Sequence, residues 1–371
     1  MPITWPFRYL VIAGGAERGL AYCGALHALR KIAHRSLNRV FEGFAGTSIG
    51  AAIALLVAIG YEPSEIVAAW VIEPPTWPID MHGFLEADVQ DYGAPTGKAC
   101  TMACLDDSIA MQWLSRMLAR RLPNSDPTFA ELHDWGVPDL VVCGTCVMQR
   151  RPIYYSWKTT PDARVLIAVR ASMAIAPLVA PQYDRLLHDF VVDGGFADNF
   201  PFETSFGAPR ATLGLCFAPN TAERSVPRTR IDYVYDMFTL AFYCHQVWRL
   251  EQLRTLVFAN DDDAFRCHVV ELSVVPSTFM RLDLAVSRRV ASAWFEQGWE
   301  QLWQWWERSR RRFGCEKGTG GSALNRNVSN SIASTQGEDA QQNDNDDEQN
   351  DGARPPGAAE PNEHRVIGDD G

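Results

Sequence analysis

Apolar positions along this chain alternate between short unbroken runs and longer stripes of helical period. Residues 8–15, RYLVIAGG, form an apolar run closed by glycines, as a buried strand does. Residues 20–32, LAYCGALHALRKI, carry apolar side chains at helical spacing. A second strand-like run, RVFEGFAG at 39–46, leads through a tight turn into a helix over 50–60. Strand, glycine loop, helix, strand, turn and helix is the opening of a parallel sheet covered by helices. Further along, 108–122 reads as an amphipathic helix and 139–148 with 152–158 as paired strands. A strand ending in a Gly-Gly turn is predicted over 189–201, and another buried strand over 211–219. Helices follow at about 231–258 and 287–313, while 73–105 shows no clear period. The expected fold is α/β, with a mostly parallel central sheet flanked by helices on both faces.

Charge changes the picture at one end. The chain has 371 residues and a net charge of −11, of which residues 316–371 carry −8. That stretch is poor in aromatic and branched apolar residues, so it cannot bury enough surface to offset its chain entropy. The expected organisation is a folded domain over 1–313 and a disordered acidic, low-complexity tail over 314–371. An acidic chain is a poor match for nucleic acid, which is set aside as a partner. No basic segment precedes an apolar stretch at the start, and no apolar run reaches ~18 residues. Nine scattered cysteines suit a reducing compartment. These features predict a cytoplasmic protein without a membrane span or an obligate protein partner.

Three stretches carry candidate chemistry. The first is Gly46-Thr47-Ser48-Ile49-Gly50, a G-x-S-x-G on the corner between a strand and a helix. A serine there projects its hydroxyl away from the sheet, and the helix N-terminus favours negative charge developing beside it. A plain turn with an N-capping serine uses the same residues. The α/β-hydrolase reading is excluded, because Ser48 follows only one complete strand–helix unit.

The second stretch, IAGGAERGLAYCGAL at 12–26, lines a strand-to-helix loop with Gly14, Gly15 and Gly19. It lacks the full G-x-G-x-x-G of a dinucleotide site and the G-K-[ST] of a phosphate loop. An oxyanion hole beside Ser48 accounts for both loops, since they leave neighbouring strands at one sheet edge. The third stretch is VVDGGFADNF at 191–200, where Asp193 ends an apolar strand at the edge where α/β sheets place their sites.

Taken in order, these pieces resemble the patatin-like phospholipase family. Its glycine-rich loop, G-x-S-x-G and D-G-[GA] stand here as Gly14-Gly15-Ala16-Glu17-Arg18-Gly19, Gly46 to Gly50 and Asp193-Gly194-Gly195. FAELHDWGVPDLVVCGT, VRASMAIAPLVAPQ and WFEQGWE resemble further blocks of that family, so the likeness covers roughly 7–303. It departs at Ala16, where the family has a third glycine. An alanine there still offers an amide, but a positive φ would strain it.

The resemblance implies a serine acyl hydrolase acting on phospholipids or lysophospholipids at a membrane or lipid-droplet surface. Ser48 would be the nucleophile and Asp193 its base, through an acyl-enzyme and with no cofactor or metal. The amides of Gly14, Gly15 and Ala16 would form the oxyanion hole. Arg18, Gly19, Gly46, Gly50, Gly194 and Gly195 would shape the loops, with Arg18 bracing the first. A neutral-glyceride lipase, a broad esterase and an inactive lipid-binding or scaffolding member are the alternatives.

Other signals rank lower. Cys143-x-x-Cys146 sits in a strand, where side chains three apart face opposite ways, so it makes a poor metal site with Cys100 and Cys104. His245 and His268 follow Asp193 in triad order, but His245 falls in a helix expected to lie away from the site. The last helix carries Trp294, Trp299, Trp303, Trp305 and Trp306 before an arginine cluster. A core stripe explains most of these, and a lipid-docking face through Trp303 and Trp305 is the sharper expectation.

Overall fold

A computed structural model describes residues 5–72, 108–175, 179–219, 230–274 and 287–313. The aperiodic stretch 73–105 and the tail 314–371 lie outside these residues.

Strand β1 (Tyr9–Ile12) lies at the centre of the sheet. On one side it pairs in parallel with β2 (Gly43–Thr47), which pairs in parallel with β3 (Asp139–Cys146). On the other side it pairs in parallel with β7 (Thr212–Phe217), followed by β8 (Val269–Leu272). The antiparallel part is β4 (Arg151–Tyr155), β5 (Gln182–Asp184) and β6 (Asp189–Asp193). The sheet is thus mostly parallel, as the strand–helix alternation predicts.

One detail of register fixes the site. Gly144 of β3 pairs with Ile153 of β4 and also with Asp193 of β6, so these two strands lie on opposite flanks of β3. The β6 flank is the one β2 occupies up to the pair Thr47–Cys143. Strand β6 therefore runs head-on into the end of β2, and Asp193 arrives beside Thr47.

Apolar residues alternate across β1, so each face of the sheet has its own cover. Val11, Ala13, Ala45 and Val141 pack with Phe200, Phe202, Leu250, Leu253, Phe258 and Phe265 on one face. Leu250 belongs to α7 (Arg230–Gln252) and Phe265 to α8 (Asp262–His268). Helices α1 (Gly19–Ala33) and α2 (Ile49–Ala58) follow β1 and β2, and every residue of α2 is buried. That explains its apolar composition on all sides, which marks an interior helix rather than an amphipathic one. Among the described residues, shorter helices α3 (Pro63–Ile72), α4 (Ser108–Ala119), α5 (Phe129–Asp134) and α6 (Val165–Ser172) follow before β6. Thr128 and Glu131 close a capping box that starts α5.

Helix α9 (Arg288–Ser309) packs directly on α1. A methyl on Gly24 would meet the Phe295 carbonyl oxygen at 1.9 Å, and one on Gly298 would meet that of Ala21 at 1.9 Å. Each helix thus lays its backbone on a glycine of the other. The lipid-docking expectation for this helix is corrected in part. Trp305 is buried and donates its indole N–H to the Arg266 carbonyl at 2.8 Å, so it is a core residue. Trp294 and Trp306 are buried as well. Trp299 and Trp303 remain half-buried and stacked on each other. Among the described residues, no helix is long and apolar enough to cross a membrane.

Candidate active site

Ser48 occupies the position just before α2, with φ 55° and ψ −129°. Its hydroxyl makes no capping bond, so it is not an ordinary N-cap serine. A non-glycine residue held at positive φ costs on the order of 1–3 kcal/mol, which the surrounding structure must supply. Here the supply is visible. The Ser48 amide donates to Ser172 Oγ at 2.8 Å, and Ser172 Oγ donates to the Cys143 carbonyl at 2.5 Å. Close contact between the flanking glycines supports the same turn. A methyl on Gly46 would lie 2.4 Å from the Gly50 carbonyl carbon, and one on Gly50 would lie 2.4 Å from the Ile12 carbonyl oxygen. The two glycines of G-x-S-x-G are therefore required by backbone packing.

Asp193 ends β6 and is 2% exposed, while Ser48 is 5% exposed. One carboxylate oxygen, Oδ1, accepts the Gly195 amide at 2.7 Å. The other, Oδ2, is buried without a hydrogen bond of full geometry among the described residues. Burial pushes the Asp193 carboxyl up from 3.8 to about 7; the nearby Ser48 hydroxyl and the Gly195 amide pull the other way and do not cancel it. The apolar neighbours Val191 and Val192 are buried, whereas Phe196 is 38% exposed and contributes less. A carboxylate titrating near 7 beside a hydroxyl on a strained turn can exchange a proton with it, which an aspartate at its usual pKa does poorly.

The first loop lies over this pair. Gly15 packs against Phe217, whose ring a methyl on Gly15 would meet at 2.2 Å. Phe217 in turn stacks on Tyr22 at 4.4 Å and lies under the Arg18 guanidinium at 4.4 Å. Arg18 Nε also donates to the Gly15 carbonyl at 3.3 Å. Arg18 therefore braces the loop, and Gly19 lets Ile49 pack closely, a methyl there falling 2.6 Å from Ile49 Cγ1. Ala16 has φ 52°, so the position that is glycine in the family pattern does require positive φ, and the alanine is strained.

One predicted donor is corrected. The Gly14 amide donates to the Asn199 carbonyl at 3.2 Å, so it is committed to the protein. The amides of Gly15 and Ala16 find no protein acceptor among the described residues. The amide of Ile49, first in α2, is likewise free of a protein acceptor there, as first-turn amides are. Gly194 and Gly195 make room at the aspartate turn, where a methyl on Gly194 would lie 2.4 Å from the Cys143 carbonyl oxygen.

The histidines do not join this pair. His268 bonds to the carbonyls of Ala264 and Arg210 and meets Phe7 edge-on and Phe258 at a tilt. Helix α7 is nearer than the sequence suggests, with Phe242 against Phe196 at 4.9 Å. Yet His245 on that helix interacts with Asp198, Arg249 and the Ala197 backbone rather than with Ser48 or Asp193. Cys143 and Cys146 are buried, and burial raises both thiols.

Three contributors escape the sequence reading. Ser172 braces the serine turn across 124 residues. Asn199 holds the first loop, and its neighbour Asp198 anchors the segment. The Asp198 carboxylate accepts from Tyr154 and Thr204 and pairs with Arg249, and its carbonyl accepts the Thr47 hydroxyl at 3.0 Å. All three lie inside the stretches VRASMAIAPLVAPQ and VVDGGFADNF, but their own residues give no sign of these long-range partners.

Residues 10–206 match the family described as Patatin-like phospholipase. A "probable lipid hydrolase 463L" of Invertebrate iridescent virus 6 is 26% identical over 198 residues, which are 53% of this chain and 62% of that protein. An uncharacterized NTE family protein of Mycobacterium tuberculosis is 28% identical over 194 residues, 52% of this chain and 27% of that protein. The chain thus spans less than two thirds of the length of these curated relatives. Among solved structures, VipD from Legionella pneumophila has a TM-score of 0.49 at 16% identity, covering 82% of this chain and 67% of VipD. The type III effector ExoU of Pseudomonas aeruginosa has a TM-score of 0.40 at 17% identity, covering 82% of this chain and 53% of ExoU. The glycine loop, the serine corner and the aspartate turn all fall inside the matched residues, and this chain belongs to the patatin-like phospholipase family.

Proposed function

We propose that this chain is a serine acyl hydrolase that cleaves fatty-acyl esters of phospholipids or lysophospholipids at a lipid surface, with Ser48 as nucleophile and Asp193 as base. The observation that carries this reading is the buried Asp193 carboxylate, lifted to about 7 by burial with the Ser48 hydroxyl close enough to pull it partly back. In the first half-reaction Asp193 takes the Ser48 proton as Oγ attacks the ester carbonyl. The carbonyl oxygen becomes an oxyanion facing the amides of Gly15, Ala16 and Ile49, whose alignment is fixed before reaction. The intermediate collapses as Asp193 returns its proton to the leaving alcohol, and an acyl-enzyme remains. Water then attacks the acyl carbon, Asp193 accepts its proton, and fatty acid leaves as Ser48 regains its hydrogen.

Family membership and the relative named a probable lipid hydrolase support the choice of lipid esters. The test is a panel of diacyl phospholipids, lysophospholipids, triglycerides and short soluble esters, each assayed with wild type and Ser48→Ala. The expected result is release of fatty acid from phospholipid or lysophospholipid, abolished in Ser48→Ala. Faster turnover of triglycerides or short esters would replace the headgroup assignment. Equal release by both proteins would remove the hydrolase reading.

A further inference from the structure

The Asn199 carboxamide lies between the two loops of the site. A methyl on Gly14 would fall 2.4 Å from Asn199 Oδ1 and 3.3 Å from Cβ of Ser48. A methyl on Gly195 would fall 3.1 Å from the same Oδ1 and 2.9 Å from Asp193 Oδ1. The carboxamide therefore fills the space that a side chain at either glycine would take, one glycine from each loop. Its place is set by its neighbours. The Asn199 carbonyl holds the Gly14 amide, the Asp198 carbonyl holds the Thr47 hydroxyl, and Phe200 is buried in the core. Asn199 itself is half-buried, and no acceptor among the described residues takes its Nδ2. Since Oδ1 is the arm against both glycines, Nδ2 is the arm turned away from them.

We propose that Asn199 is a catalytic residue whose Nδ2–H donates to the oxyanion formed when Ser48 attacks the ester, standing in for the Gly14 amide that Asn199's own carbonyl removes. This rests on the hydrolase reading above. An isolated glycine amide in the hole would be interchangeable with a side-chain amide, because either presents an N–H of fixed direction to the developing charge. The donor is neutral, so it adds no charge beside Asp193.

The experiment compares Asn199→Ala and Asn199→Asp with wild type, using the ester that wild type turns over fastest. Asn199→Asp keeps the shape of the wedge and removes the N–H. The expected result is a loss of about 10²-fold in kcat in both variants, the size typical of one lost oxyanion donor. KM and the thermal midpoint of Asn199→Ala should stay near wild type. Asn199→Asp should also move the acid limb of the pH–rate profile upward, because a second carboxylate disfavours ionisation of Asp193. Near-wild-type kcat in Asn199→Asp would reduce Asn199 to a spacer and overturn the proposal. So would a loss in Asn199→Ala that appears only in KM or in stability. A wild-type protein that neither hydrolyses esters nor reacts with a fluorophosphonate at Ser48 would instead remove the underlying hydrolase reading.

Discussion

Thr47 and Asp193 occupy consecutive positions along one flank of β3, Thr47 opposite Cys143 and Asp193 opposite Gly144. This register brings Ser48 and Asp193 together from positions far apart in the chain. The serine turn extends β2 in one direction, and the aspartate closes β6 arriving from the other. Each side then has its own lock. Ser172 ties the serine amide to the Cys143 carbonyl, and Thr145 Oγ1 donates to the Asp193 carbonyl at 2.9 Å.

With Asp193 as the base proposed above, an acid limb of hydrolysis is predicted. Asp193 accepts a proton only when ionised, and burial places that ionisation at about 7. The rate constant kcat/KM on a soluble ester is expected to rise with pH through about 7 and level above it. A limb centred in the usual carboxylate range would mean that Asp193 is solvated during turnover and would rule out this account of its basicity.

The same burial makes Asp193 costly to the fold. Between 3.8 and about 7 the native carboxyl keeps a proton that the unfolded chain has released. Stability therefore falls as pH rises through that window and stays reduced above it. Each pKa unit corresponds to about 1.4 kcal/mol. Asp193→Asn is predicted to be inactive yet more resistant to thermal unfolding than wild type at pH 8, with the advantage shrinking towards pH 4. A variant less stable at every pH would show that the carboxylate is held by contacts rather than penalised by burial.

Ser172 lies outside the reacting pair, yet its loss should be felt there. Ser172→Ala leaves the Ser48 amide and the Cys143 carbonyl without their shared partner. Urea unfolding is predicted to show a loss of about 1–3 kcal/mol, the usual effect of orphaned buried groups, along with lower kcat. Unchanged stability would show that the strained serine turn is held by its glycine contacts alone.

Ala16 offers the opposite case. Its φ of 52° suits glycine, and the cost for an alanine is about 1 kcal/mol or somewhat more. Ala16→Gly is predicted to raise the thermal midpoint while keeping hydrolysis, because the amide proposed as an oxyanion donor is unchanged. Loss of activity on restoring the glycine would mean that the methyl itself serves the reaction.

Much of this was legible in the sequence because it is local. Apolar runs marked β1, β2, β3 and β7, and glycines marked the corners where backbone meets backbone. Ser48 and Asp193 could be named because each sits in a short motif at a strand end. What stayed hidden depends on partners distant in the chain. Whether the Gly14 amide is free is decided by Asn199, and whether Ser48 is held is decided by Ser172. The core stripe expected of α9 holds for Trp294, Phe295, Leu302 and Trp306, and the docking role fails at Trp305 for a related reason. Trp305 packs against Phe7 and Phe313 and bonds to the Arg266 carbonyl, partners whose positions the pattern does not give. Helix α7 was placed away from the site because nothing in its own residues shows that Phe242 meets Phe196.

The most direct test of the central claim is covalent labelling followed by peptide mass spectrometry. Wild type treated with a fluorophosphonate is predicted to carry one adduct, on the peptide holding Ser48. Ser48→Ala should carry none, and Asp193→Asn should label at least ~10²-fold more slowly, as expected when a general base is removed. Label on a different residue, or equal labelling of wild type and Asp193→Asn, would contradict the pairing of Ser48 with Asp193.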